Sequence, residues 1–155
     1  TQFNVDLTKA EKRSIGRPSS PRWELDVVAY KGRENKLLVV ECKSYLDSPG
    51  VRCAAFDGSS ELYARRYKLF NDAKLRGVVL KRLKLQLSSI GACAKNPSLQ
   101  LCLAAGHKLR RHFHRRKWLL WDAKWLRDAL HELSTVGYQN DVAIVVSKLL
   151  RRSST

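Results

Sequence analysis

The stretch "WELDVVAYKGRENKLLVVECKSY" at residues 23–45 decides the fold, because it holds two apolar runs separated by a short polar turn. The glycine-containing "KGREN" predicts a hairpin turn between a first strand at residues 23–30 and a second at residues 36–44. The run at residues 37–40 is continuously apolar, as expected for a strand buried on both faces. It ends in Glu41, Cys42 and Lys43. Charges there cost several kcal/mol unless they are paired, hydrogen-bonded or bound to a metal.

The predicted hairpin brings carboxylates together at this strand end. Side chains alternate along a strand, so Glu24 shares a face with Asp26, and Glu41 shares a face with Lys43. Pairing across the turn can place Asp26 beside Glu41, where two negative charges repel unless a divalent cation bridges them. Oxygen ligands suit Mg²⁺ or Mn²⁺, and Lys43 could then orient or deprotonate a water, or neutralise charge on a phosphate. The alternative is an ion pair at the rim of the strand.

Composition points to a polyanionic partner. The chain has 155 residues, 44% of them apolar, and 30 Lys plus Arg against 14 Asp plus Glu give a net charge of +16. Such an excess favours nucleic acid, with anionic membrane as a poorer second and an inert basic surface as the alternative. The sequence shows neither a run of about 20 apolar residues nor a signal peptide, so we expect a cytoplasmic protein that does not insert into membranes.

The remaining chain predicts a mixed α/β domain with helices on a central sheet. The expected helices lie at residues 5–14, 61–71, 72–90 and 122–133 and in the Val142–Leu150 segment, and the further strands at 99–106 and 118–121. Asp122 is the expected N-cap of the fourth helix, and Trp121, Trp125, Leu126, Leu130 and Leu133 are expected in the core. Cys42, Cys53, Cys93 and Cys102 lack CxxC spacing and are interpreted as reduced, buried residues.

The pattern D-(x14)-E-C-K, formed by Asp26, Glu41, Cys42 and Lys43, resembles the PD-(D/E)XK nuclease superfamily. That resemblance implies a core like those of restriction endonucleases and Holliday-junction resolvases, with the order αβββαβ, spanning about residues 5–106 of one nuclease-like domain. Residues 107–150 would add a basic segment and C-terminal helices. It further implies that Asp26 and Glu41 bind the metal and that Lys43 assists cleavage of DNA phosphodiesters.

Two positions depart from the family pattern. Leu25 stands where the family has Pro, a position that tolerates variation. The acid expected from the first helix is Glu11, but it lies only fifteen residues before Asp26. Glu24, on the same predicted face as Asp26, is the alternative, so either acid could complete the site.

The segment "HKLRRHFHRRK" at residues 107–117 is the predicted DNA contact, since its cations can neutralise phosphates. The residues expected to bind DNA are Arg110, Arg111, Arg115, Arg116 and Lys117. A solvated surface loop is the alternative. For the whole chain, a nucleic-acid-binding module with an inactive nuclease core and a domain that docks an acidic protein both stay open, as does homodimer formation to cut two strands.

Overall fold

The computed structural model describes residues 3–20, 22–43, 51–105, 117–137 and 141–153, with side chains described up to residue 148. The strands are β1 (Phe3–Val5), β2 (Trp23–Leu25), β3 (Val27–Lys31), β4 (Lys36–Cys42), β5 (Ser98–Ala104) and β6 (Leu119–Trp121). The α-helices are α1 (Lys9–Ser14), α2 (Glu61–Ala64), α3 (Lys68–Asn71), α4 (Ala73–Ser89), α5 (Ala123–Thr135) and α6 (Val142–Ser153). Short 3₁₀ turns at Gly32–Glu34, Cys53–Ala55 and Arg65–Tyr67 complete the described elements.

The four strands β3-β4-β5-β6 form one mixed sheet, and β1 and β2 form a separate antiparallel pair. β3 runs antiparallel to β4, whereas β4, β5 and β6 are mutually parallel. The turn between β3 and β4 is the predicted hairpin, with Asn35 in the left-handed region at φ 42°. The prediction of a mixed α/β architecture is thereby confirmed.

The main core lies between one face of this sheet and helix α4. Alternate residues of β4, Leu37 and Val39, point into it, and α4 contributes Leu75, Val79 and Leu83, each at most 1% exposed. Burying a side chain of this size stabilises the fold by about 1.5 to 3 kcal/mol. The opposite face holds a smaller cluster of Leu38, Val40 and Cys102, with Trp121 packed against it.

Helix α4 begins and ends close to its predicted bounds. Asp72 is its N-cap and accepts the backbone N–H of Leu75 at 2.9 Å. Ile90, the last residue of the predicted helix, is exposed, because the helix ends at Ser89 and Ile90 is its C-cap.

Three predicted elements differ in their bounds. The first helix begins at Lys9 instead of residue 5, because Thr8 caps it and Val5 belongs to β1. The strand expected over residues 23–30 is interrupted at Asp26, where the chain passes from the small sheet to the large one. The helix expected over residues 61–71 is divided by the 3₁₀ turn Arg65–Tyr67.

The C-terminal helices are less buried than expected. Asp122 caps α5 as predicted, accepting the backbone N–H of Trp125. The core assignment of Trp125, Leu126 and Leu130 was wrong, because the described contacts of α5 are with β6 and α6 and leave these side chains 38–41% exposed. Trp121 is half-buried, and its ring stacks on Trp125 with centroids 4.2 Å apart; Leu133 is likewise half-buried.

The cysteines divide into two pairs by burial. Cys93 and Cys102 are buried thiols, as expected. Cys42 and Cys53 are exposed, which corrects their assignment to the interior. Cys42 is exposed because it lies at the last position of β4, where the apolar run has ended.

Candidate active site

The register of the hairpin places Asp26 and Glu41 at the same end of two paired strands. Val27 pairs with Val40. Asp26 immediately precedes Val27, and Glu41 immediately follows Val40, so the two acids flank the last pair of the β3–β4 ladder. This register places the two acids at one end of the sheet, in neighbouring strands.

Asp26 is tied to β4 by a hydrogen bond. The backbone N–H of Cys42 donates to Asp26 Oδ2 at 2.7 Å. The next backbone N–H along the chain, that of Lys43, donates to the carbonyl of Ala104 at 3.0 Å. The end of β4 is therefore held on one side by the Asp26 carboxylate and on the other by β5, which fixes the positions from which Glu41 and Lys43 project.

Glu41 and Lys43 form a half-buried ion pair. Lys43 Nζ lies 2.8 Å from Glu41 Oε1, with the lysine side chain 36% exposed and the glutamate 20%. Burial lowers the pKa of Lys43. The hydrogen bond to Glu41 and the negative charges of Glu41 and Asp26 outweigh burial, so its pKa is raised overall. Lys43 is thus a cation paired with Glu41 and influenced by the charge of Asp26, at the rim of the main core.

An aromatic ring borders this ion pair. Lys43 Nζ lies 5.8 Å from the centroid of Tyr67, within the range of a cation–π interaction. Tyr67 is buried and packs on Phe56, with ring centroids 4.8 Å apart. The segment carrying Tyr67 therefore forms one wall of the site.

Cys42 lies on the opposite face of the sheet from Glu41 and Lys43, because side chains alternate along a strand and Cys42 shares its face with Leu38 and Val40. Burial, followed by the charges of Asp26 and Glu41, raises the pKa of the Cys42 thiol. The thiol therefore keeps its proton at neutral pH, and the ligands offered by this strand end are oxygens.

Glu11 is engaged elsewhere. Its carboxylate accepts the backbone N–H of Thr8 at 2.8 Å and the Nε–H of Arg82 at 2.9 Å, with Arg82 Nη2 also 2.9 Å away. Burial raises the pKa of Glu11, but the bonds from Thr8 and Arg82 outweigh it and hold the pKa below its ordinary value. These contacts close the N-terminal cap of α1 and attach that helix to α4.

Glu24 also lies apart from the pair. It is exposed, pairs with Asn4 across β1 and β2, and lines a shallow groove with Arg17, Arg22 and Trp23. Within the described ranges, no three His, Cys, Asp or Glu side chains come together as a group that could hold a metal ion. The structure thus brings Asp26, Glu41 and Lys43 together but adds neither Glu11 nor Glu24 to them.

The predicted DNA-binding segment is described only at its last residue. Arg110, Arg111, Arg115 and Arg116 lie outside the described residues. Lys117 is exposed, has a left-handed backbone at φ 56°, and its carbonyl accepts a hydrogen bond from Gln100 of β5. This contact fixes the end of the segment beside the sheet.

Sequence reasoning did not identify Tyr67 as part of this site or Arg82 as the partner of Glu11. Tyr67 falls in the helix predicted at residues 61–71, and helical spacing gives no signal for its contact with Lys43. Arg82 lies on the helix predicted at residues 72–90, and its contact with Glu11 was not expected. The sequence does hold a signal for its partner, because "TKAE" at residues 8–11 is a capping box that positions Glu11.

Comparison with known proteins identifies no relative. No protein-family model matches the chain, and neither curated proteins nor solved structures give a significant match. In the described part of the chain, no helix combines the length and apolarity that a membrane span requires.

Proposed function

We propose that this protein is a divalent-metal-dependent endonuclease that hydrolyses DNA phosphodiester bonds. The observation that carries the proposal is the placement of Asp26, Glu41 and Lys43 at one end of β3 and β4. There, two carboxylates and one ammonium group lie beside each other in a chain of net charge +16. A metal-binding acid pair with a neighbouring cation is suited to phosphoryl chemistry.

The donor set fits Mg²⁺ or Mn²⁺. Mg²⁺ is usually held by one or two carboxylates, with waters and substrate phosphates filling its other positions. Asp26 and Glu41 supply two carboxylates, each fixed by β4, and both are accessible enough to meet a substrate. When bound, the ion would polarise the phosphoryl group and lower the pKa of a coordinated water.

Lys43 would stabilise the negative charge that develops on the phosphate. Its ammonium group already lies 2.8 Å from one of the acids, so it needs no large movement to reach a phosphate bound between them. A preorganised cation in a half-buried site acts more strongly than one in bulk water. Between the two roles considered for Lys43, its ion pair with Glu41 and the nearby charge of Asp26 keep it protonated, which favours charge stabilisation over proton abstraction.

The order of elements supports a restriction-endonuclease-like fold as part of the proposal. From α1 to β5 the chain reads helix, three strands, helix and strand, if the short helical pieces at residues 53–71 are set aside. This is the αβββαβ order of the PD-(D/E)XK core. A single site of this kind cuts one strand, so cutting both strands of a duplex would call for a homodimer.

The runner-up is a DNA-binding module with the same fold and no cleavage. One observation favours it: the described residues offer two acids at the site, while the candidate third, Glu11, is bound by Arg82. The basic composition suits this function equally well.

Plasmid nicking separates the two functions. Purified protein is incubated with supercoiled plasmid in Mg²⁺, in Mn²⁺ and in EDTA, beside an Asp26→Asn variant purified in the same way. Nicking that requires metal and is lost in the variant supports the nuclease. Salt-sensitive binding without nicking supports the binding module, and nicking equal in both proteins identifies a contaminant and overturns the assignment. Weak, salt-insensitive DNA binding would instead indicate a protein-interaction domain.

A further inference from the structure

Two arginines lie against the ring of Tyr63, one helical turn from the wall of the candidate site. Arg52 Cζ is 5.3 Å from the ring centroid, and Arg66 Cζ is 5.9 Å from it. Each distance is within the range of a cation–π interaction. The half-buried ring thus limits the positions of two long, otherwise flexible side chains. We call these three residues the Tyr63 cluster.

The cations of the Tyr63 cluster are not neutralised by acids of the described chain. Arg52 and Arg66 are exposed, and within the described ranges neither forms an ion pair. Their neighbour Arg65 differs, because its Nη2 lies 2.6 Å from Glu61 Oε1. Both guanidiniums lie within 6 Å of one ring centroid, so the cluster concentrates two positive charges at one place on the surface, where they attract an anion.

The cluster lies beside the candidate site. Tyr63 ends up near Tyr67 because it packs against the same core cluster that contains Tyr67, four residues further along the chain. Tyr67 in turn approaches Lys43 Nζ at 5.8 Å. A nucleic-acid strand with one phosphate at Lys43 would therefore continue past Tyr67 toward Arg52 and Arg66.

We propose that the Tyr63 cluster is a phosphate-binding subsite that holds backbone phosphates of the substrate next to the phosphodiester being cleaved. Guanidinium matches the geometry of phosphate and binds it through two parallel hydrogen bonds, and ordering by the ring reduces the entropy lost on binding. The subsite rests on the proposed function for its position relative to the cleaved bond. Its contribution to binding is independent of cleavage.

Salt-dependent binding tests the subsite. The affinity of a fluorescein-labelled DNA duplex is measured by anisotropy in EDTA, over a series of KCl concentrations, for the wild type and for an Arg52→Ala/Arg66→Ala variant. Each neutralised phosphate contributes about −0.9 to the slope of log K against log salt, so the variant should bind more weakly and flatten the slope by up to about 1.8. The melting temperature should fall by only a few degrees, because both arginines are exposed and each loses a single cation–π contact with Tyr63.

A charge-matched control uses Arg65→Ala/Lys124→Ala. This variant also loses two positive charges, but both groups are already paired, Arg65 with Glu61 and Lys124 with Asp128. It should keep the wild-type slope. A wild-type slope in Arg52→Ala/Arg66→Ala, or equal flattening in the control, would overturn the subsite.

The ring is tested separately. Tyr63→Phe keeps the aromatic face and should retain wild-type affinity, whereas Tyr63→Leu keeps an apolar side chain without that face and should weaken binding in EDTA. Equal affinities of the two variants would show that the ring does not order the arginines. Because these measurements contain no metal, loss of the nuclease proposal in the nicking assay would leave their outcome unchanged.

Neutral methylphosphonates locate the contact along the DNA. Replacing the contacted phosphate should weaken binding by the wild type but cause no further loss in Arg52→Ala/Arg66→Ala, since the partner charges are already absent. Equal losses in both proteins at every position would refute a phosphate contact by these arginines.

Discussion

Replacing Asp26 by asparagine separates the chemical role of this acid from its structural one. In the proposed site the carboxylate holds the metal, while in the fold its Oδ2 accepts the backbone N–H of Cys42 at 2.7 Å. Asparagine retains an oxygen that can accept the same N–H but loses the negative charge. Alanine loses both. Asp26→Asn should therefore lose less stability than Asp26→Ala, whereas the two variants should lose cleavage to the same extent.

The expected stability change follows from the type of hydrogen bond. A bond to a charged group contributes about 1.5 to 3 kcal/mol and a neutral bond about 0.5 to 1.5 kcal/mol. For this half-exposed carboxylate we take the lower ends, so Asp26→Asn should cost about 1 kcal/mol and Asp26→Ala about 1.5 to 2 kcal/mol. At this chain length 1 kcal/mol corresponds to about 2–4 °C in Tm. The Tm should therefore fall by about 2–4 °C in Asp26→Asn and by about 3–8 °C in Asp26→Ala.

Cleavage should not follow the same order. A metal contributes several kcal/mol of transition-state stabilisation, so losing one of its two carboxylates should slow plasmid nicking by about three orders of magnitude in both variants. DNA affinity in EDTA should stay the same or rise, since a negative charge facing phosphate is removed. Asp26→Asn with wild-type nicking would refute the metal role, and equal Tm losses in the two variants would refute the hydrogen-bond argument.

Three further outcomes are expected. Lys43→Ala and Lys43→Met should both lower the nicking rate by orders of magnitude. In urea unfolding, Lys43→Met should lose less stability than Lys43→Ala, because methionine retains most of the buried stem. Equal stability losses with nicking intact would identify a structural ion pair. Arg115→Ala/Arg116→Ala should flatten the salt slope of DNA binding by up to roughly two units, and an unchanged slope would remove this segment from the interface. Glu11→Gln should lower the free energy of unfolding near pH 7. Because the folded pKa of Glu11 is depressed, this contribution is complete above its ordinary pKa of about 4.3 and is lost as the pH falls through the folded pKa. The difference between variant and wild type in urea unfolding should therefore shrink steadily as the pH is lowered below about 4.

The hairpin and the long helix could be predicted because their signals are local. The apolar run at residues 37–40 and the polar "KGREN" turn define the two strands and their register, and that register brings Asp26 to Glu41. The spacing of Leu75, Val79 and Leu83 likewise predicts the buried face of α4. In these elements the local preference and the tertiary packing agree.

The rest depended on contacts distant in sequence. Pairing of residues 3–5 with 23–25 turned the start of the predicted first helix into a strand, and no local periodicity signals such a pairing. Glu11 was a candidate ligand until Arg82, 71 residues away, was found on its carboxylate. Amphipathic spacing predicted a buried face for α5, but the spacing does not specify whether a neighbouring element covers that face.

The interruption at Asp26 connects the fold to the proposed chemistry. Up to Val40, strand β4 has a backbone partner on each side, but at Asp26 the preceding chain leaves the large sheet and joins β1. The N–H of Cys42, which would otherwise face an absent strand, is satisfied by the side chain of the residue at the break. An acid is therefore favoured there for a structural reason, and the same hydrogen bond anchors its carboxylate beside Glu41. If Asp26 served the fold alone, Asp26→Asn would lower the free energy of unfolding slightly and leave cleavage unchanged. Loss of cleavage in Asp26→Asn would therefore establish a second role.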